Sequence, residues 1–340
     1  MTAAAPPPFS LTVAPDQANT RLDRVLADAR SDLSRGRVQA LIAAGAVCVA
    51  GATVADPARR VKAGQSVTLQ EPAAAPTTAT PAQSQPLDIV YEDDSFVVVD
   101  KPAGLVVHPA PGHDGGTLVN ALIAHCGGDW LGQGEARRNG IVHRLDKDTS
   151  GLLVAAKTPA AAANLTAQFA DRTVARIYTA AVWGLPAAEG TFTGAIGRSP
   201  HDRKKMAVVA TGGRSAETRY RVRQALAGGA AAVLACRLGT GRTHQIRVHM
   251  AEAGHPLIGD PVYGHRHGRR RRTLSPEARA AAAAFDRQAL HAATLGFHHP
   301  DTGESLHFTS ALPPDLAGLI AAFGGTVEKG DSLGHIQNCI

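Results

Sequence analysis

"GIVHRLDKDTSGLLVAAKT", residues 140–158, sets one arginine and two aspartates between apolar flanks. Ile141 and Val142 lead in, and Leu152, Leu153 and Val154 lead out. A charge is costly to bury unless it is paired or serves a purpose. The pattern predicts a strand end, a loop holding Arg144, Asp146 and Asp148, and then a buried strand apolar on both faces. Loops held by rigid strands are common seats of catalytic groups. On residue type alone, a structural ion pair and a catalytic carboxylate weigh equally. The two aspartates also admit the acid and base of a glycoside hydrolase. Carboxylates two apart on a strand would point the same way and sit close together, however. Aromatics make up only 4% of the chain, and no sugar-binding aromatic cluster stands out.

On the N-terminal side, residues 1–18 are rich in Pro and Ala and are expected to be loose. Residues 19–72 then read as a small α/β unit. Leu22, Val25 and Leu26 recur at helical spacing. Ser34 is a candidate cap for a second helix with Val38, Leu41 and Ile42 inward, and Gly45 a candidate stop. "AVCVAGATV" reads as two short strands around a turn at Ala50-Gly51. Arg21, Arg24, Arg35, Arg37, Arg59, Arg60 and Lys62 stud this unit. Charge alone also suits a solvated helical face, but helix, helix and "GAVCVAG" hairpin together closely resemble the S4 RNA-binding fold. Arg21, Arg35 and Arg37 are its candidate RNA contacts. Residues 73–86, "AAAPTTATPAQSQP", read as a linker, and tethering raises the local concentration of whatever follows on a shared ligand.

Residues 87–325 mix strands and helices without regular alternation, which argues for an α+β domain rather than a doubly wound sheet. Strands are expected at Ile89–Tyr91 and Phe96–Val99 and in "RIYTAAVWG", "TRYRVRQAL" and "AAVLACRLGT". Helices are expected in "GTLVNALIAHC", "PAAAANLTAQFADRT", "HQIRVHMAEAG" and the alanine-rich "SPEARAAAAAFDRQALHA". Residues 326–340 read as a polar tail.

At 340 residues the chain has room for two or three domains, and 44% hydrophobic content allows a sizeable core. A net charge of +6 suits a polyanionic partner, although it serves solubility as well. Cys48, Cys126, Cys236 and Cys339 form no CxxC pair, which fits a reducing compartment and argues against a structural zinc. No apolar run reaches about 18 residues, and "MTAAAPPPFS" lacks a secretory pattern. The expectation is a cytoplasmic protein without a membrane span.

"RLGTGRTHQIRVHMAEAGHPLIGDPVYG", residues 237–264, is the second charged motif. Arg242 and His244 fall in a turn after a strand, and Arg247 falls on the first turn of the next helix. Gly239 and Gly241 offer a GxG, but no third glycine completes a dinucleotide fingerprint. His244 and His249 are five apart and no HExxH is present, so a metal site is not expected. Arginines and histidines at a helix start suit a phosphate or a carboxylate. Tyr178 sits mid-strand, where a buried Tyr usually belongs to the core. "HRHGRRRR", residues 265–272, reads as a surface loop with phosphate contact as its alternative.

Together, "GLVVHPAPGHDGGTLVNAL", "GIVHRLDKDTSGLLVAAKT", "RIYTAAVWG" and "TGRTHQIRVHMAEAGHPLIGDPVYG", behind an S4-like module, resemble the ribosomal large-subunit pseudouridine synthases. The resemblance is to the RluA superfamily, closest to its D-type branch, and runs from Thr20 to about Ile320. It implies a mixed or antiparallel-sheet catalytic core and an isomerase that needs no cofactor or metal. Its substrate would be uridine in 23S ribosomal RNA or a large-subunit assembly intermediate, in the intersubunit hairpin near the decoding centre. By the same resemblance Asp146 is the essential carboxylate, Tyr178 the active-site tyrosine and Arg247 the partner of Asp146. Arg144 would fill the space of the flipped base, and Asp148 carries no catalytic role. Arg242 and His244 join the RNA contacts. A monomer is expected. The alternatives are other rRNA or tRNA uridines, a nucleoside hydrolase, and a non-catalytic S4-containing rRNA-binding assembly factor.

Overall fold

The structure is a computed structural model that describes residues 8–30, 33, 35–71, 82–109, 115–127, 140–202, 205–264 and 273–326. The chain divides into two units, Met1–Ala79 and Thr80–Ile340.

The first unit holds β1 (Phe9–Thr12), α1 (Leu22–Ala29), α2 (Arg35–Ala43), β2 (Val47–Val49), β3 (Ala52–Val54) and β4 (Ser66–Leu69). Its antiparallel sheet runs β1-β4-β2-β3. Leu22, Val25 and Leu26 of α1 and Val38, Leu41 and Ile42 of α2 share one core with the sheet. Ala50 and Gly51 both have positive φ, as a type I′ hairpin turn requires. The expectation that residues 1–18 are loose is corrected. β1 pairs with β4, Phe9 opposite Leu69, and Val13 is buried. An edge strand of four residues among prolines is too short to show its alternation. Residues 1–7 and the candidate cap Ser34 lie outside the described residues.

The second unit is built on ten strands. They are β5 (Asp88–Glu92), β6 (Phe96–Lys101), β7 (Ser150–Ala156), β8 (Ala175–Trp183), β9 (Glu189–Arg198), β10 (Met206–Val208), β11 (Arg214–Leu226), β12 (Ala231–Leu238), β13 (Leu290–His298) and β14 (Ser305–Thr309). The sheet order is β10-β9-β11-β12-β8-β13-β7-β6-β5, with β14 also on β13. β13 and β7 are parallel and the other pairs antiparallel, so the sheet is mixed and the α+β reading holds. Successive strand residues face opposite sides. Val97, Val99, Leu153 and Ala155 pack with α3 (Leu118–Cys126) and α5 (Gln245–Glu252). Phe96, Val98, Leu152 and Val154 pack instead with α4 (Pro159–Ala170). Trp183 and Leu226 pack with α6 (Pro276–Ala284) and α7 (Pro314–Ala322).

Two expectations change here. The alanine-rich helix stops at Ala284, and Leu290–His298 forms a strand in the middle of the sheet, between β8 and β7. A strand buried on both faces loses its alternation, and small residues then read as helix. The other change lies in the expected linker, of which residues 72–81 are outside the described set. Its end belongs to the second unit: the Gln83 amide donates to the Asn120 carbonyl at 3.1 Å, and Gln85 Nε2 to the Thr117 carbonyl at 3.2 Å. The tail from residue 327 and the basic run 265–272 also lie outside the described residues.

Candidate active site

Asp146 stands in a turn that the fold pins from several directions. Thr149 N donates to its carbonyl at 3.1 Å, which closes the turn just before β7. Lys101, 1% exposed at the end of β6, donates from Nζ to the carbonyls of Pro102, Leu105 and Lys147, each at 2.9 Å. From the other side, Arg287 Nη1 donates to the Asp148 carbonyl at 3.1 Å, and Gln288 Nε2 to Thr149 Oγ1 at 3.1 Å. Asp148 therefore serves through its backbone. Gly151, with φ of 110°, follows at the one parallel pairing, where a Cβ would collide with the Ala292 carbonyl.

The partner of Asp146 comes from α5. Arg247 is 4% exposed and donates from Nη1 to Asp146 Oδ2 at 3.1 Å. Its Nε and Nη2 are occupied by Asp260, at 2.7 and 2.9 Å. Asp260 is itself fixed by the amides of Val262 and Tyr263, at 2.8 and 3.0 Å from Oδ1. Burial alone would lower the Arg247 pKa, but its hydrogen bonds to Asp260 and the charges of both carboxylates hold it above its ordinary value. Burial would likewise raise Asp260, and Arg247 more than offsets it. The Tyr263 ring lies 5.2 Å from the Arg247 guanidinium carbon. Asp260 and Tyr263 were missed in the sequence, although both lie in the quoted motif. An Asp-Pro pair is a turn signal, and a buried arginine next to one carboxylate leaves donors that need a second.

His244 caps α5 in the left-handed conformation, φ 56°. Its Nδ1 is 2.9 Å from Tyr263 Oη, and its Nε2 is 3.9 Å from Asp146 Oδ2. Burial lowers its pKa, and Asp146 opposes part of that shift. Tyr178, on β8, is 6% exposed; burial raises its pKa, and its hydroxyl makes no hydrogen bond with the described residues.

A cleft of about 610 Å³ brings Arg144, Asp146, Tyr178, Arg242, His244 and Arg247 together. Arg144 is exposed beside it, and Arg242 donates from Nε to the Ser215 carbonyl at 3.1 Å. The cleft pairs a fixed carboxylate with an aromatic hydroxyl on a strongly cationic wall, which suits an acid–base or nucleophilic step on a polyanion. The remaining candidates lie in the first unit. Arg21 and Arg35 are 43% and 54% exposed, and both pair with the fully buried Asp23, at 3.0 and 3.1 Å. Arg37 is half-buried on α2.

Comparison with known proteins shows the family. Residues 95–252 match the RNA pseudouridylate synthase family and residues 20–67 the S4 domain. The ribosomal large subunit pseudouridine synthase D of Zymomonas mobilis is 47% identical, over 91% of this chain and 96% of the relative. An uncharacterized RNA pseudouridine synthase of Bacillus subtilis, YlyB, is 45% identical, over 92% of this chain and 97% of that one. Among solved structures, human RNA pseudouridylate synthase domain containing 1 is 27% identical with a TM-score of 0.55, covering 76% of this chain and 96% of its own. The chain thus belongs to the RNA pseudouridine synthases, isomerases that carry here an S4 domain ahead of the catalytic unit.

Proposed function

We propose that this chain isomerises uridine to pseudouridine in large-subunit ribosomal RNA, in the intersubunit hairpin near the decoding centre, with Asp146 as the essential carboxylate. The observation that carries the reading is the fixed pair of Asp146 and Arg247 beside Tyr178 in a cationic cleft. The substrate assignment draws on relatives named for the large ribosomal subunit. In this reading the chain works in the cytoplasm, as a monomer.

The target base leaves its stack at a cost of a few kcal/mol, and Arg144 offsets part of that by filling the gap and stacking. The C1′–N1 bond then breaks, the uracil turns in the pocket, and C5 bonds to C1′. The proton on C5 departs and N1 gains one, so atoms and electrons balance without an oxidant or a reductant. Asp146 acts either as a nucleophile or as the base that removes a ribose proton. Its Oδ1 accepts no hydrogen bond from the described residues, while Oδ2 is taken by Arg247. Tyr178 packs against the uracil, and its hydroxyl relays the C5 proton, directly or through water, taking it up as it passes its own proton to solvent.

The test is unmodified 23S rRNA incubated with the wild-type chain and with Asp146→Asn, followed by carbodiimide-dependent primer extension. Stops with wild type alone support the isomerase, the role of Asp146 and the hairpin site together. A non-catalytic assembly factor predicts no stops with either chain on any assembly intermediate.

A further inference from the structure

Arg176 has no role in the mechanism above, and its position is unusual. It is 8% exposed, its Nε has no hydrogen-bond partner, and no described carboxylate lies within ion-pair distance. It stands on β8 two residues before Tyr178, so both side chains leave the same face of the sheet and both line the cleft. The guanidinium carbon sits 5.3 Å from the centre of the Phe169 ring. Its Nη1 rests against Gly241, where an added Cβ would approach to 2.7 Å. Bare backbone at Gly241 therefore leaves the room that this side chain occupies.

A buried guanidinium without a carboxylate partner is costly, and the contact with the Phe169 ring offsets only part of that cost in the free protein. The surroundings show what would pair with it. Arg144, Arg176, Arg214, Arg242 and Arg247 line the cleft against a single carboxylate, Asp146, which Arg247 already holds. The neighbouring His143 adds no charge. Burial and then the charge of Arg176 push its pKa down to about 3, and its Nε2 accepts a hydrogen bond from Val154 N.

We infer that Arg176 binds one backbone phosphate of the RNA, adjacent to the uridine that reaches Tyr178 and Asp146. The guanidinium fork matches two phosphate oxygens, and an anion that arrives only with substrate restores the missing partner. Held there, the phosphate fixes the ribose of the target nucleotide against the Asp146 turn. Arg176 is then a positioning residue, and this inference rests on the RNA-modifying reading above.

The test uses the full chain and a short hairpin RNA that wild type converts. Versions of the RNA carry one methylphosphonate at each linkage from two before to two after the target, with a 2′-deoxy nucleotide on its 5′ side and a matched deoxy control. Affinity is measured for wild type, Arg176→Gln and Arg176→Lys. Arg176→Gln should bind the normal RNA about tenfold more weakly, as for loss of one charge-assisted hydrogen bond. One neutral linkage should weaken wild type by a similar factor and Arg176→Gln by less than about twofold. Arg176→Lys, which keeps charge but not the fork, should fall between them. In the RNA-free chain Arg176→Gln should raise Tm by about 2 °C or more, because an unpaired buried charge is removed.

If every neutral linkage weakens wild type and Arg176→Gln equally, the phosphate contact is wrong. A lower Tm with unchanged affinity would make Arg176 a structural residue instead. A chain that converts no RNA at all would sink the isomerase reading, while the Tm change still reports on the unpaired charge.

Discussion

Asp260 holds Arg247 by two hydrogen bonds, 2.7 and 2.9 Å long, so that only one edge of the guanidinium is left to meet Asp146 at 3.1 Å. The geometry of Asp146, the carboxylate proposed to react, is thereby set one residue further back than the residue that touches it. Positioning of this kind is worth large factors in rate when the bound geometry must be close to reactive.

Asp260→Asn should therefore damage turnover more than binding. An asparagine amide cannot accept both Arg247 donors, and its NH₂ would face one of them. We expect kcat to fall about 10²-fold while KM changes by less than about threefold, together with a stability loss of about 3 kcal/mol for a broken buried pair. Single-turnover pseudouridine formation and thermal melts measure both. Turnover within about twofold of wild type would mean that α5 packing alone aims Arg247.

Lys101 underlies the same loop, and its burial makes a pH prediction. Burial lowers its pKa to about 7, a shift that the charges of Asp148 and Asp146 oppose only in part. Between about pH 7 and its ordinary value of 10.5, the unfolded chain holds a proton on this amine that the folded chain has released, the neutral amine keeping two of its three donated hydrogen bonds. The unfolded state then binds more protons, so this group makes stability rise with pH across that window, by at most about 1.4 kcal/mol per pH unit. Lys101→Met should lack the rise. It should also be less stable at pH 7, because three loop carbonyls lose their donor. Parallel Tm curves for the two proteins from pH 7 to 10 would reject the assignment.

Much of the site was legible in the sequence, and the part that was not has physical causes. Asp146, Tyr178 and Arg247 stood in motifs whose local structure, turn then strand, mid-strand and first helical turn, is what the fold shows. Asp260 and Lys101 act through long-range contacts, and no local spacing encodes a partner across the fold. Strand β13 was hidden because burial on both faces erases alternation. The charge run hides a contact of the same long-range kind: Arg21 and Arg35, the candidate RNA contacts of the first unit, are both held by one buried acid that no spacing marks as their partner.

That acid, Asp23, supplies the third prediction. It accepts hydrogen bonds from Arg21 at 3.0 Å, Arg35 at 3.1 Å and Gln39 at 2.6 Å. The Arg21 hydrogen bond, with help from Gln39 and Arg35, holds its carboxyl well below the usual range against the opposing effect of burial. Its folded pKa is depressed, so its contribution is complete above the unfolded value of about 3.9 and is lost as pH falls below it. Asp23→Asn should lower the melting temperature of the first unit at pH 7, and the difference from wild type should shrink toward pH 2. A difference constant with pH would show that packing, rather than the ion pairs, carries the effect.

The cationic cleft makes a last prediction about salt. Phosphate contacts release counterions, and each one on a single strand adds about −0.7 to the slope of log affinity against log salt. Arg242 lines the cleft with one donor on the Ser215 carbonyl. Burial, and then the nearby Arg214 and Arg172, lower its pKa, so an anion at this point would relieve repulsion among the three. Arg242→Gln should make the salt slope less steep by about 0.7 to 1 and weaken binding to unrelated RNAs by the same factor. Arg21→Gln would remove a guanidinium from the buried Asp23 as well as a charge from the first unit. Its loss of affinity should therefore come with a lower melting temperature, which Arg242→Gln should not show. Titrations from about 50 to 300 mM salt separate the two: an unchanged slope in Arg242→Gln would take this arginine off the path of the RNA backbone.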